Sequence, residues 1–189
     1  MSGTEWEWKL REAVERIRLR YAHIGRSTGA PFLAVVYPTG AEGAVLKEWR
    51  TLSSTLEGEF EIHVIDVLAA TMQVVEDLGS ENIVAAIASP MPGSKPEAEL
   101  GVMWASAVAE RVKEVASKPA SGKPVIVLEK LAALHPASSP REVMQRLWDS
   151  EQSCLSGPVV VLIPGMLVEP RVYSFLGLQE ELMYRGDLL

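Results

Sequence analysis

The sequence predicts an α/β fold, a three-layer sandwich on a mainly parallel sheet, and two observations carry that expectation. The runs Phe32–Tyr37, Val125–Leu128 and Val159–Ile163 are apolar without alternation, the pattern of strands buried on both faces. Between them lie segments whose apolar residues recur at helical spacing. Strands of this kind alternating with amphipathic helices pack as a parallel sheet covered on both sides, with right-handed crossovers. At 189 residues, residues 1–189 fit one domain able to bury a substantial core.

Taken in order, Leu10, Val14, Ile17, Tyr21 and Ile24 share one face, predicting an amphipathic helix from about Trp6 to His23, with residues 1–25 as its segment. Gly25 and the residues to Ala30 end it. The first strand, Phe32–Tyr37, is bounded by prolines, and a turn follows from Pro38 to Gly43. Val45, Trp49, Leu52 and Leu56 mark a second helix. Ile62–Ile65 reads as a second strand that delivers Asp66 to its carboxyl end, and Leu68, Met72, Val75 and Leu78 continue as helix. Ile83–Ala88 is consistent with either a short helix or a strand. Residues 89–96 hold three prolines and a glycine and predict a loop. A long helix follows from about Glu97 to Ala116, with Leu100, Met103, Trp104, Val108, Val112 and Val115 inward. Pro124–Glu129 is the third strand. Ser139-Pro140-Arg141-Glu142 matches a capping box with proline at the first helical position. Val159–Ile163 is the fourth strand, closed by Pro164-Gly165. Residues 166–189 read as a C-terminal loop in which Leu182–Leu189 supplies an edge strand.

Composition narrows the function classes. The net charge of −7 repels phosphate backbones, so direct nucleic-acid binding is not expected. The one cysteine, Cys154, rules out an internal disulfide and fits a reducing compartment. No apolar run reaches the roughly 20 residues of a membrane span, and the acidic N-terminus lacks the features of a signal peptide. The expectation is a cytoplasmic protein without a membrane partner.

Ligands of open α/β sheets bind beyond the carboxyl ends of the strands. Those ends present Thr39, Gly40 and Gly43 after the first strand, Asp66 after the second, and Glu129 with Lys130 after the third. A phosphate-binding Walker A loop needs Gly-x4-Gly-Lys-Ser/Thr, for backbone amides, a lysine on the phosphates and a hydroxyl on magnesium. Aligning Gly43 with its second glycine puts Pro38 at the first, Ala44 at the lysine and Val45 at the hydroxyl. The motif is therefore degenerate. Val125–Glu129 has the form of a Walker B strand, apolar and ending in an acid, and the chain order is that of P-loop ATPases, a likeness of fold alone. Asp66 is placed to cap the helix after it. His23, His63 and His135 are isolated, so no metal set is expected, and no cofactor. Trp6 and Trp8 flank Glu7 and cannot both face inward on one helix. They are candidate interface anchors, as are Met166, Leu167 and Tyr173 in the C-terminal segment.

Pro31-Phe32-Leu33-Ala34-Val35-Val36-Tyr37-Pro38 resembles the first strand of the BrxB family, where an apolar strand runs into Tyr-Pro. Gly157-Pro158-Val159-Val160-Val161-Leu162-Ile163-Pro164-Gly165 resembles that family's final strand and Pro-Gly turn. Leu176-Gly177-Leu178 with Tyr184-Arg185 resembles its ending. The chain departs where the family shows a Tyr and a Gly soon after Pro-Gly, having Met166-Leu167-Val168-Glu169-Pro170 instead. The resemblance implies a component of a BREX bacteriophage-exclusion system, which combines host DNA methylation with blockage of phage replication. It implies no catalytic activity, and assembly with another component such as the PglZ protein of the alkaline-phosphatase superfamily. Two other readings stand beside this one. One is a nucleotide-binding module holding phosphates near Thr39–Gly43. The other is a hydrolase using Asp66 and Glu129 with a divalent metal and Lys130.

Overall fold

The computed structural model describes residues 4–26, 28–151, 155–183 and 185–189; Cys154 and Tyr184 lie outside the described residues. In chain order the described elements are α1 (Glu5–Arg20), β1 (Phe32–Tyr37), α2 (Glu42–Ser53), β2 (Phe60–Asp66), α3 (Val67–Leu78), α4 (Ser80–Ala88) and α5 (Pro96–Ala116). Then come β3 (Lys123–Glu129), α6 (Pro140–Glu151), β4 (Val159–Glu169), β5 (Val172–Phe175), β6 (Gln179–Leu182) and β7 (Asp187–Leu188). Ile83–Ala88, open between helix and strand in the sequence, lie in α4.

Five strands pair in parallel in the order β2-β3-β4-β1-β7. From β1 the chain passes over two positions to lay down β2 at the far edge, then steps back through β3 to β4. Keeping crossovers right-handed while reversing direction requires the connecting helices to change face. They do. Val45, Leu46 and Trp49 of α2 join Leu10, Val14 and Ile17 of α1 on one side of the sheet. Residues of α3, α5 and α6, among them Val67, Ala70, Val108, Val112, Val143 and Leu147, cover the other. The strands divide between these layers residue by residue, as a two-residue period demands. Leu33, Val35, Val125, Val127, Val160 and Leu162 face the first layer, while Ala34, Val36, Ile126, Leu128, Val161 and Ile163 face the second.

Local chemistry sets the ends of the elements. The Thr4 backbone N–H donates to the Glu7 carboxylate at 3.0 Å, closing the first turn of α1. Past α1 the chain folds back so tightly that a Cβ on Gly25, at φ +65°, would lie 1.7 Å from the Ala30 carbonyl oxygen. At α6 the box is shared between two serines. The Ser139 hydroxyl accepts from the Glu142 N–H at 3.4 Å, but the Glu142 carboxylate takes the Ser138 hydroxyl at 2.7 Å.

The sequence reading of Pro164-Gly165 as the end of a strand is corrected. β4 continues to Glu169, pairing in parallel with β1 as far as Pro164 and in antiparallel fashion with β5 from Gly165 onward. A side chain at Gly165 would meet the Ser174 carbonyl oxygen at 2.1 Å, so glycine there lets one strand pass from one partner to the next. β5 and β6 complete an antiparallel hairpin in place of the expected loop. The edge strand expected near the C-terminus is present as β7. Around it the Leu189 N–H donates to the Ala34 carbonyl and the Leu189 carbonyl accepts from the Val36 N–H.

Val127 is fully buried in the middle of the sheet. A Val127→Asp substitution places an unpaired charge there and is expected to cost several kcal/mol. Thermal melts followed by circular dichroism should show an unfolded or strongly destabilised variant; a wild-type melt would mean the central strand is misassigned.

Candidate functional site

The carboxyl ends of β1, β2 and β3 bring several predicted residues together. Asp66 and Glu129 are register partners on adjacent parallel strands, which places them roughly 4.8 Å apart along the sheet. Lys130 follows in a left-handed conformation, φ 61°, and its ammonium reaches back to the Asp66 carboxylate. The other Asp66 oxygen accepts from the Ala69 N–H at 3.0 Å, so Asp66 caps α3 as its position suggested. Burial pushes the Asp66 carboxyl up, but the Lys130 ammonium and the Ala69 amide outweigh it and hold the group below the usual carboxylate range. The same contact raises Lys130 above its ordinary value.

Glu129 is 4% exposed. Its Oε1 accepts from an Arg50 guanidinium nitrogen at 3.3 Å, and its Oε2 has no hydrogen-bond partner among the described residues. Beside it the buried Tyr37 hydroxyl donates to Glu42 at 3.2 Å. Burial, and behind it the Glu42 and Glu129 carboxylates, push the Tyr37 phenol well above its ordinary value.

This geometry bears on the Walker comparison. Only residues 38–41 separate β1 from α2, and three of them, Thr39, Gly40 and Ala41, form a 3-10 turn. Gly43 already lies in the first turn of α2, next to Glu42. A helix N-terminus attracts anions, but this one carries its own carboxylate, Glu42, in its first turn. The arrangement suits structural pairing of opposite charges at the strand ends more than it suits phosphate. Among the described residues no three His, Cys, Asp or Glu side chains gather as a metal-holding group. Within the Asp66–Glu129 pair, Lys130 and Ala69 engage Asp66, and Arg50 engages one oxygen of Glu129.

The predicted anchors separate. Trp8 is 58% exposed on α1, whereas Trp6 is partly buried against the first core layer. Met166 and Leu167 are exposed on the outer part of β4. Tyr173 is corrected: it is fully buried, its hydroxyl donating to the buried Glu181 carboxylate, which also accepts from the Arg141 N–H at 3.3 Å. Burial and the neighbouring Glu181 raise its phenol far above the ordinary value. Tyr173 thus fastens the β5–β6 hairpin to the start of α6 and offers nothing to a partner.

Sequence reasoning missed the exposed apolar side chains that α3, α4 and α5 share. Leu68, Met72 and Leu78 of α3, Val84 and Ile87 of α4, and Val102 and Met103 of α5 are all exposed, as is Met91 in the loop between α4 and α5. Met103 was expected inward. The signal was present in Ile83-Val84-Ala85-Ala86-Ile87-Ala88, which is apolar on every side, a pattern that marks a helix needing cover all round. No described helix is long and apolar enough to cross a membrane.

No family model, curated protein or solved structure matches the chain.

Two outcomes follow for the strand-end cluster. Asp66→Ala should cost about 1 kcal/mol through the lost cap, and Asp66→Asn, which keeps an accepting oxygen, less. Because the folded carboxyl lies below its usual range, its contribution is complete above the unfolded value near 4 and is lost as pH falls through the folded value. The difference in melting temperature between wild type and Asp66→Asn should therefore narrow as the solution is acidified; a difference that does not narrow would contradict the pairing. Millimolar magnesium–ATP should leave the melt unmoved and be turned over no faster than in buffer. Occupancy at 100 times Kd would add about 2.7 kcal/mol, a shift easily seen.

Proposed function

We propose that the chain is a non-enzymatic assembly subunit of a BREX-type phage defence system, acting in the cytoplasm and binding another component such as a PglZ-like protein. The observation that carries the binding role is helix α4. Six of its nine residues, Ile83 to Ala88, are apolar, yet none of the nine is buried. Exposed patches of this kind, continuous with apolar side chains of α3 and α5, mark surfaces that a partner covers. The likeness of Pro31–Pro38 and Gly157–Gly165 to the BrxB family supplies the choice of system.

The same reading takes the fold as P-loop-like without a working Walker A motif. It is supported by β1 leading into α2, by the acid at the end of β3, and by Ala44 and Val45 where lysine and hydroxyl would be required. The carboxylates of Glu42 and Glu129 weigh against the nucleotide-binding alternative.

Co-expression with each component of a BREX system, followed by size-exclusion chromatography, is the test. The chain should co-elute with one component, and Val84→Glu should weaken that complex by roughly tenfold or more while leaving the melt within about 0.5 kcal/mol of wild type. Elution alone against every component would overturn the proposal.

A further inference from the structure

Helices α4 and α5 do more than expose apolar side chains: they enclose a groove. Leu78, Ile83, Ala86 and Ile87 form one wall, and Leu100 and Met103 the other, around about 170 Å³. An apolar cavity of ~150 Å³ is large enough for benzene, so the groove takes one aromatic or large aliphatic side chain. Along its length α4 offers nine residues, or roughly 13 Å at 1.5 Å per residue. That matches the span from position i to i+7 of a second helix, about 10 Å, the spacing by which amphipathic helices seat themselves in apolar grooves.

The rim fixes the sign of the occupant. Residues 76–99 hold five carboxylates, Glu76, Asp77, Glu81, Glu97 and Glu99, against a single cation, Lys95. All five are exposed, and Glu99 also lines the groove. Residues 76–99, which supply most of the slot's lining, thus hold a net charge of −4, five carboxylates against one lysine. Like charges set opposite each other cost several kcal/mol across an interface, and opposite charges speed and orient encounter. A second copy seated here through the same face would bring its own acidic rim, and phosphate-bearing surfaces carry the same sign.

We infer that the α4–α5 groove binds an amphipathic helix of a partner protein, with apolar residues at i, i+3 or i+4 and i+7 and lysine or arginine on its flanks. The inference rests on the assembly reading for its biology and on the groove and its rim for its chemistry. Replacing Met103 or Ile87 by Glu puts a carboxylate on the groove wall at a position that is already solvent-exposed, so the fold survives. Reversing Glu81 and Glu99 to Lys changes the rim and leaves the slot.

The probe is a labelled peptide of about 16 residues, long enough to be helical when bound, with Leu at the anchor positions and Lys elsewhere, compared with the same pattern carrying Glu. Fluorescence anisotropy on the intact protein should show the Lys peptide binding at least about tenfold more tightly than the Glu peptide. Met103→Glu should weaken it by about tenfold or more, and the Glu81→Lys, Glu99→Lys double variant should invert the preference. Amide exchange should slow across residues 78–103 when the Lys peptide is present. Equal binding to wild type and Met103→Glu, preference for the Glu peptide, no binding, or dimers that dissociate in Met103→Glu would each overturn the groove assignment. A complex with a BREX component that survives Met103→Glu leaves the assembly reading standing and removes the groove. Peptide binding with no component co-eluting does the reverse.

Discussion

The fold depends on one constraint: β1, β3 and β4 are apolar on both faces, so both faces must be covered at once. Leu33 and Ala34, side by side on β1, point into different layers, and both are wholly buried. A chain of this length meets that demand by crossing to the far edge once and returning on the other face. The positions of α1 and α2 against α3, α5 and α6 follow from that route. So does the meeting of Asp66, Glu129 and Tyr37 at one end of the sheet, since parallel strands present all their carboxyl ends together.

Those strand ends are where an α/β protein of this type ordinarily keeps its chemistry, and in this chain they hold charges that are largely paired with one another. Glu129 is buried, with one oxygen held by Arg50 and the other without a partner among the described residues. Glu42 occupies the first turn of the helix whose N-terminus would otherwise favour an anion. Lys130 is turned back onto Asp66. Each cation near the cluster is engaged with a carboxylate of the chain itself.

The strands were legible in the sequence because two-sided burial leaves continuous apolar runs, a pattern with few other causes. Tyr173 and Gly165 were not legible, for a shared reason. Pro164-Gly165 reads locally as a turn, and only the approach of Ser174 from the returning β5 shows that the glycine serves a strand changing partners. Tyr173, taken for a loop residue, is buried because that return forms a hairpin. Met103 failed differently. Helical periodicity correctly put it beside Leu100 and Trp104, but the apolar arc of α5 is wider than the sheet it covers, and Met103 lies on the surplus. Asp66 was read correctly as a cap because that role is local: it needs only the residue and the helix that follows.

The surplus links stability to function. A nine-residue helix is marginal on its own, and α4 buries no residue to offset the entropy of ordering it. It is held by contacts with α3 and α5, by the Gly79 N–H on the Val75 carbonyl at 2.9 Å, and by the Asn82 amide on the Leu78 carbonyl at 2.8 Å. Local bonds of that size each contribute about 1 kcal/mol, far less than the core contributes to β1 or β3. Such an element lies at the low end of the stability range within a domain, where binding surfaces are commonly found. Covering Val84, Ile87 and Met103 with a partner would stabilise α4 by the ordinary hydrophobic term, about 25 cal/mol for each Å² removed from water. The sheet needs none of that help. A chain selected for stability alone would gain by placing polar residues at these positions, as it does at Glu110 and Lys113 further along α5. Exposing Val84 and Ile87 of α4 with Val102 and Met103 of α5 forgoes that gain, and the proposed partner helix is what would restore it.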